Sequence, residues 1–146
     1  MREQIDRVKN WKQFLNENIR DNESQIWFHI SPTENRNNIL TNGLVTTNKK
    51  RYGNISKNAI YLWKFKELAL WYALTESRDF NKNFDIFQIN QNVNVEEDTT
   101  IGVPESYLTT DTILPQNISK IDTINVGDKR IKQFGDIDDV LNMLEL

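Results

Sequence analysis

Cysteine is missing altogether from this 146-residue chain, and histidine occurs once, as His29. The first absence excludes disulfides, thiol nucleophiles and thiolate metal sites. Together they leave a zinc site only one imidazole and carboxylates, so no metal is expected. Glycine is scarce as well, with Gly43, Gly53, Gly102, Gly127 and Gly135 the five in the chain. They build neither GxGxxG nor a Walker loop, which removes two common phosphate cradles. A Ser-His-Asp hydrolase would have to use His29, and no GxSxG elbow accompanies it. No apolar run approaches the roughly 20 residues that span a bilayer. The N-terminus is charged from Arg2 onward, without the apolar core of a secretory signal. The expectation is a soluble, cytoplasmic protein without a membrane partner.

Charge adds a further exclusion. Lys and Arg number 18 against 21 Asp and Glu, for a net charge of −3, and the basic residues are scattered. That balance disfavours duplex nucleic acid as a partner. One basic cluster, Lys49-Lys50-Arg51 with Lys57 nearby, reads as a solvated loop or as a loop that meets phosphates. What the chain does have is apolar bulk: four Trp, four Tyr and seven Phe. That is enough for a single domain over residues 1–146 to build a core without covalent staples.

Periodicity outlines the elements. Ile5, Val8, Trp11, Phe14, Leu15 and Ile19 recur at three- and four-residue steps, which predicts an amphipathic helix over residues 1–20. Gln25–Ile30 is an apolar, aromatic run and predicts a buried strand. Ser31-Pro32-Thr33-Glu34 predicts a helix start, with Ser31 as N-cap, Pro32 in the first position and Glu34 completing a capping box. Asn42-Gly43 closes that helix. Val45–Asn58 is polar, basic and turn-rich, a long loop of the kind that often carries function. Ala59–Trp63 predicts a strand, Lys66–Ser77 a helix, and Phe84–Ile89 a half-buried strand. Short strand signals follow at Val93–Val95, Ser106–Thr109 and Ile121–Val126. Asp136 is expected to cap a last helix over 136–146, with Ile137, Val140, Leu141 and Leu144 as its apolar stripe. Short strands mixed with segregated helices give an α+β class.

Four residues then stand out in chain order. His29 ends the aromatic strand, and the helix after it closes with Asn42-Gly43-Leu44. Tyr61 lies in the second strand, and Tyr72 on the helix that follows, with ten residues between them. Glu105 opens a strand in VPESYLTTDTILPQNI. Taken singly, each has an ordinary reading as a structural histidine, a core aromatic or a surface carboxylate. Their joint pattern resembles the ADP-ribosyltransferase superfamily, in its diphtheria-toxin-like His-Tyr-Glu branch. FHISPTENRNNILTNGL is similar to the first motif, AIYLWKFKELALWYA to the second and PESYLTTDTILPQNI to the third. The resemblance spans Gln25–Ile124 and leaves out both terminal helices.

The resemblance implies a split β-sandwich of two antiparallel sheets with flanking helices, and NAD as co-substrate in the cleft between them. It implies that Tyr61 and Tyr72 clamp the cationic nicotinamide ring, a contact worth roughly 0.5–2 kcal/mol. Tyr61 is then the nearer partner. His29 would hydrogen-bond the adenosine ribose, with Ser31 beside it unless the helix cap takes its hydroxyl. Glu105 would be the catalytic carboxylate. It would stabilise the oxocarbenium-like transition state and accept a hydrogen bond from the ribose 2′-hydroxyl. Glu96 and Glu97 are competing carboxylates in a polar turn. Val103 stands where arginine-modifying relatives carry a first Glu, which disfavours arginine as acceptor. The expectation is a mono-ADP-ribosyltransferase moving ADP-ribose to a macromolecular acceptor, protein ahead of nucleic acid, as a phage or bacterial effector would. The alternatives are a non-catalytic binding module on the same fold and an RNA 2′-phosphotransferase-like enzyme. The latter needs a basic face that this acidic chain does not show.

Overall fold

The computed structural model describes residues 25–46, 59–98 and 106–145. The expected N-terminal helix, most of the Val45–Asn58 loop with its basic cluster, and Glu105 lie outside the described residues. Six strands form one antiparallel sheet: β1 Ile26–Pro32, β2 Ile60–Trp63, β3 Phe84–Asn90, β4 Glu96–Glu97, β5 Ser106–Thr109 and β6 Ile118–Ile124. Their order across the sheet is β4-β5-β2-β1-β3-β6. Among the described residues three α-helices accompany them: α1 Arg36–Asn42, α2 Lys66–Phe80 and α3 Ile137–Met143. The class is α+β, and the described strands join into one sheet rather than the two expected.

Each face of the sheet carries a core. Phe28 and Ile30 of β1, Trp63 of β2 and Ile86 of β3 pack with Leu68, Ala73 and Leu74 of α2 and Val140 of α3. Successive side chains on a strand point to opposite faces. Trp27, Leu62, Phe87 and Ile89 therefore gather on the other side, with Ile39 of α1 and Ile113. Helices on both faces explain why β3 is buried from Phe84 through Phe87, where its alternation predicts a half-buried strand.

The polar residue of that run, Asp85, is fully buried. Arg36 donates from Nε and Nη2 to its two carboxylate oxygens at 2.6 and 2.8 Å. The Thr33 and Thr123 hydroxyls donate at 3.0 Å each. Burial alone would raise the pKa of the Asp85 carboxyl. The hydrogen bonds from Arg36, Thr123 and Thr33 outweigh it and hold the group below the usual carboxylate range. This network ties α1 to β3 and β6. A second clamp holds the same C-terminal end of β6, where Arg130 pairs with Asp122 at 2.6 Å and Asp128 at 2.9 Å. Hydrogen bonding from Arg130 is the main reason that the Asp128 carboxyl also sits below its usual range.

Local signals and strand pairing disagree at Ser31. It does not cap a helix: β1 continues through it, with Ser31 opposite Asp85 and Pro32 opposite Phe84. A 3-10 turn, Thr33–Asn35, follows without a side-chain cap, and α1 begins only at Arg36. Pro32 is tolerated because it is the last residue of its strand. Gly43 does end α1, with φ +80° and ψ −164°, a combination open essentially to glycine alone. A Cβ there would collide with the Ile113 carbonyl oxygen. The close approach lets Leu44 and Ile113 exchange backbone hydrogen bonds of 2.9 Å. Val93–Val95 forms no strand. Pairing begins instead at Glu96–Glu97, which lie against β5. β6 starts at Ile118, earlier than expected. Its ladder with β3 places Asp122 opposite Ile86 but Lys120 opposite Phe87, so Ile121 is an extra residue.

Candidate functional site

β1 and β2 are lightly joined. Their register pairs Phe28 with Trp63, whereas β1 is zipped to β3 from Ile26 opposite Asn90 to Pro32 opposite Phe84. Beside that single pair, His29 bridges the two strands with its side chain. Its Nδ1 lies 2.8 Å from the Tyr61 carbonyl oxygen. A carbonyl can only accept, so Nδ1 carries the proton and donates, which leaves Nε2 as the acceptor nitrogen when the ring is neutral. The hydrogen bond thus sets both the tautomer and the orientation of the imidazole.

The pleat sends the neighbouring side chains to different faces. Phe28 and Trp63 share the face covered by α2. One residue on, His29 therefore emerges on the α1 face, as does Ser31, while Tyr61 emerges on the α2 face. Tyr61 is 7% exposed and His29 9%, more enclosed than a pair meeting a ligand side-on would be. Tyr72 on α2 is half-buried. Its ring centroid lies 4.8 Å from that of Trp63, tilted 40°, and 5.9 Å from that of Trp71. Trp63 and Trp71 were not singled out in the sequence, although the signal was there: Trp63 is two residues from Tyr61 and Trp71 adjoins Tyr72.

Ser31 is buried, and its hydroxyl accepts a hydrogen bond from Asn35 Nδ2 at 3.0 Å. Of the expected site, the structure brings His29 and Tyr61 onto adjoining strands, and Tyr72 onto the helix packed against Trp63. Ser106, the residue after Glu105, opens β5 opposite Trp63; Glu105 itself is outside the described residues. Glu96 and Glu97 are exposed, opposite Leu108 and Tyr107. Among the described residues no cluster of His, Asp and Glu is arranged to hold a metal ion. Set beside protein-family models, curated proteins and solved structures, the chain matches none of them.

Proposed function

We propose that the chain is an NAD-dependent mono-ADP-ribosyltransferase whose dinucleotide lies across the β1–β2 junction. The observation that supports it best is the hydrogen bond from His29 to the Tyr61 carbonyl, which joins two motif residues 32 positions apart. In this reading the light junction is where the sheet divides into two halves, β4-β5-β2 and β1-β3-β6, the split sandwich of the resembling family. His29 Nε2 accepts a ribose hydroxyl on one side, with Ser31 beside it. The cationic nicotinamide meets Tyr61 and Tyr72 on the other. Glu105, one residue before β5, supplies the carboxylate. The bond from ribose C1′ to the nicotinamide nitrogen breaks, and its electron pair leaves with neutral nicotinamide. Positive charge develops on the ribose, where a carboxylate stabilises it. A nucleophile of a macromolecular acceptor, a protein by preference, then bonds to C1′ and releases its proton to solvent. The reaction requires no metal, and the cytoplasm supplies the NAD.

Glu105→Gln tests this directly, because it keeps shape while removing charge. Ground-state NAD carries little charge at the ribose, so NAD affinity, measured by calorimetry, should change less than about twofold. Nicotinamide release in a cell lysate, measured by chromatography, should fall about 10²–10³-fold. Equal rates in the two proteins would overturn the assignment. The enclosure of His29 and Tyr61 favours a second reading, a binding module on the same fold. That reading expects NAD binding without nicotinamide release from either protein.

A further inference from the structure

The geometry points to a second ligand site, separate from the β1–β2 junction, for a small anionic amphiphile. Where the C-terminal part of α2 passes the end of β6, a cavity of about 380 Å³ opens to the surface. Ligand pockets start at roughly 300 Å³ and combine apolar walls with a few polar groups. Here Leu74, Ile124 and Ile131 supply apolar wall. Arg78, Lys129 and Lys132 are the cations of the lining and Asp128 its one carboxylate, with Arg78 already paired to Asp79 at 2.9 Å, so Lys129 and Lys132 carry the free positive charge. The Asp128 carboxylate is already committed to Arg130. Lys129 and Lys132 form no ion pair among the described residues. A cationic rim on a chain of net charge −3 runs against the composition.

A further observation concerns Ser77, which also lines the cavity. It is 2% exposed, and its hydroxyl has no hydrogen-bond partner among the described residues. Buried hydroxyls are normally satisfied; this one is sealed in the cavity wall, and an oxygen of a bound molecule would reach it only once the side chain rotates toward the cavity. The apolar wall behind the mouth is small, three aliphatic side chains, which matches a short apolar body. The ligand class is therefore a free small molecule with a short apolar body, ended by a phosphate or carboxylate that meets the cations.

The test is an amide NMR titration of the full chain with hexyl phosphate, run beside hexanol and inorganic phosphate. Hexyl phosphate should give saturable shifts centred on the amides of Ser77, Arg78, Gly127 and Ile131. Removing two exposed cations together, as Lys129→Ala with Lys132→Ala, should weaken it about tenfold. The melting temperature should stay unchanged. Val126 lines the mouth and is 48% exposed, so Val126→Trp should block the shifts without unfolding the chain. The proposal is overturned if hexyl phosphate shifts these amides no more than others. It is equally overturned if hexanol or inorganic phosphate binds as tightly, or if the double variant binds like the parent.

Discussion

At Tyr61 packing and the proposed NAD contact compete for one ring. Its enclosure makes Tyr61→Ala a core truncation, expected to cost about 3 kcal/mol in denaturant unfolding. Lost NAD binding in that variant would then say little about stacking. Tyr72 is the cleaner probe, because its ring is only half-buried and rests on Trp63. Tyr72→Ala should weaken NAD about tenfold, by analogy with base–aromatic stacking of about 1–3 kcal/mol. Unchanged affinity by calorimetry would remove Tyr72 from the clamp. Asp85 carries the pH dependence. Its carboxyl is depressed in the folded state, so its contribution is complete above the unfolded value of about 3.9 and is lost as the pH falls through the lower folded value. Asp85→Asn should cost about 3 kcal/mol at pH 7, the lower end for breaking a buried pair whose Arg36 is partly exposed. The stability gap between the variant and the parent should begin to narrow below about pH 4, where the carboxyl of the unfolded chain protonates, and close as the pH falls through the lower folded value.

At the level of elements, the helix ends are the sensitive points. Gly43→Ala meets both a forbidden backbone conformation and the Ile113 carbonyl. It should cost at least about 2 kcal/mol and weaken the Leu44–Ile113 bridge, visible as faster amide exchange at both residues. Asp136 caps α3 through a reciprocal box with Asp139, so Asp136→Ala should lower stability by about 1 kcal/mol. Both features are legible in the sequence because they are local: Gly after Asn42, Asp before an apolar stripe. The box at Ser31 has the same local form and fails, because long-range pairing of Ser31 with Asp85 extends the strand through it. Asp85 is itself illegible for a related reason. Its partner Arg36 is 49 residues away, and no spacing rule reports that contact. The early start of β6 was hidden too, since Ser119 and Lys120 interrupt its apolar pattern.

For the whole molecule, the sheet has a strong half and a light seam. β1, β3 and β6 are zipped along their lengths and bound across by Arg36, while β1 meets β2 at Phe28 and Trp63. His29 and Tyr61 were legible as residue types in a given order, whereas the contact between them runs from the imidazole to a backbone carbonyl, which no residue type announces. Their opposite faces were not legible, since that depends on which residues of β1 and β2 lie opposite each other. The extra residue Ile121 has a consequence for behaviour in concentrated solution. Among the described strands, β4 and β6 border the sheet. β4 has two residues, too few to recruit a neighbour, and β6 is kinked at Ile121 between the charged Lys120 and Asp122. Such borders resist strand-by-strand stacking of one copy on another. Deleting Ile121 would straighten that rail, and light scattering at rising concentration should then report growing aggregates where the parent chain stays dispersed.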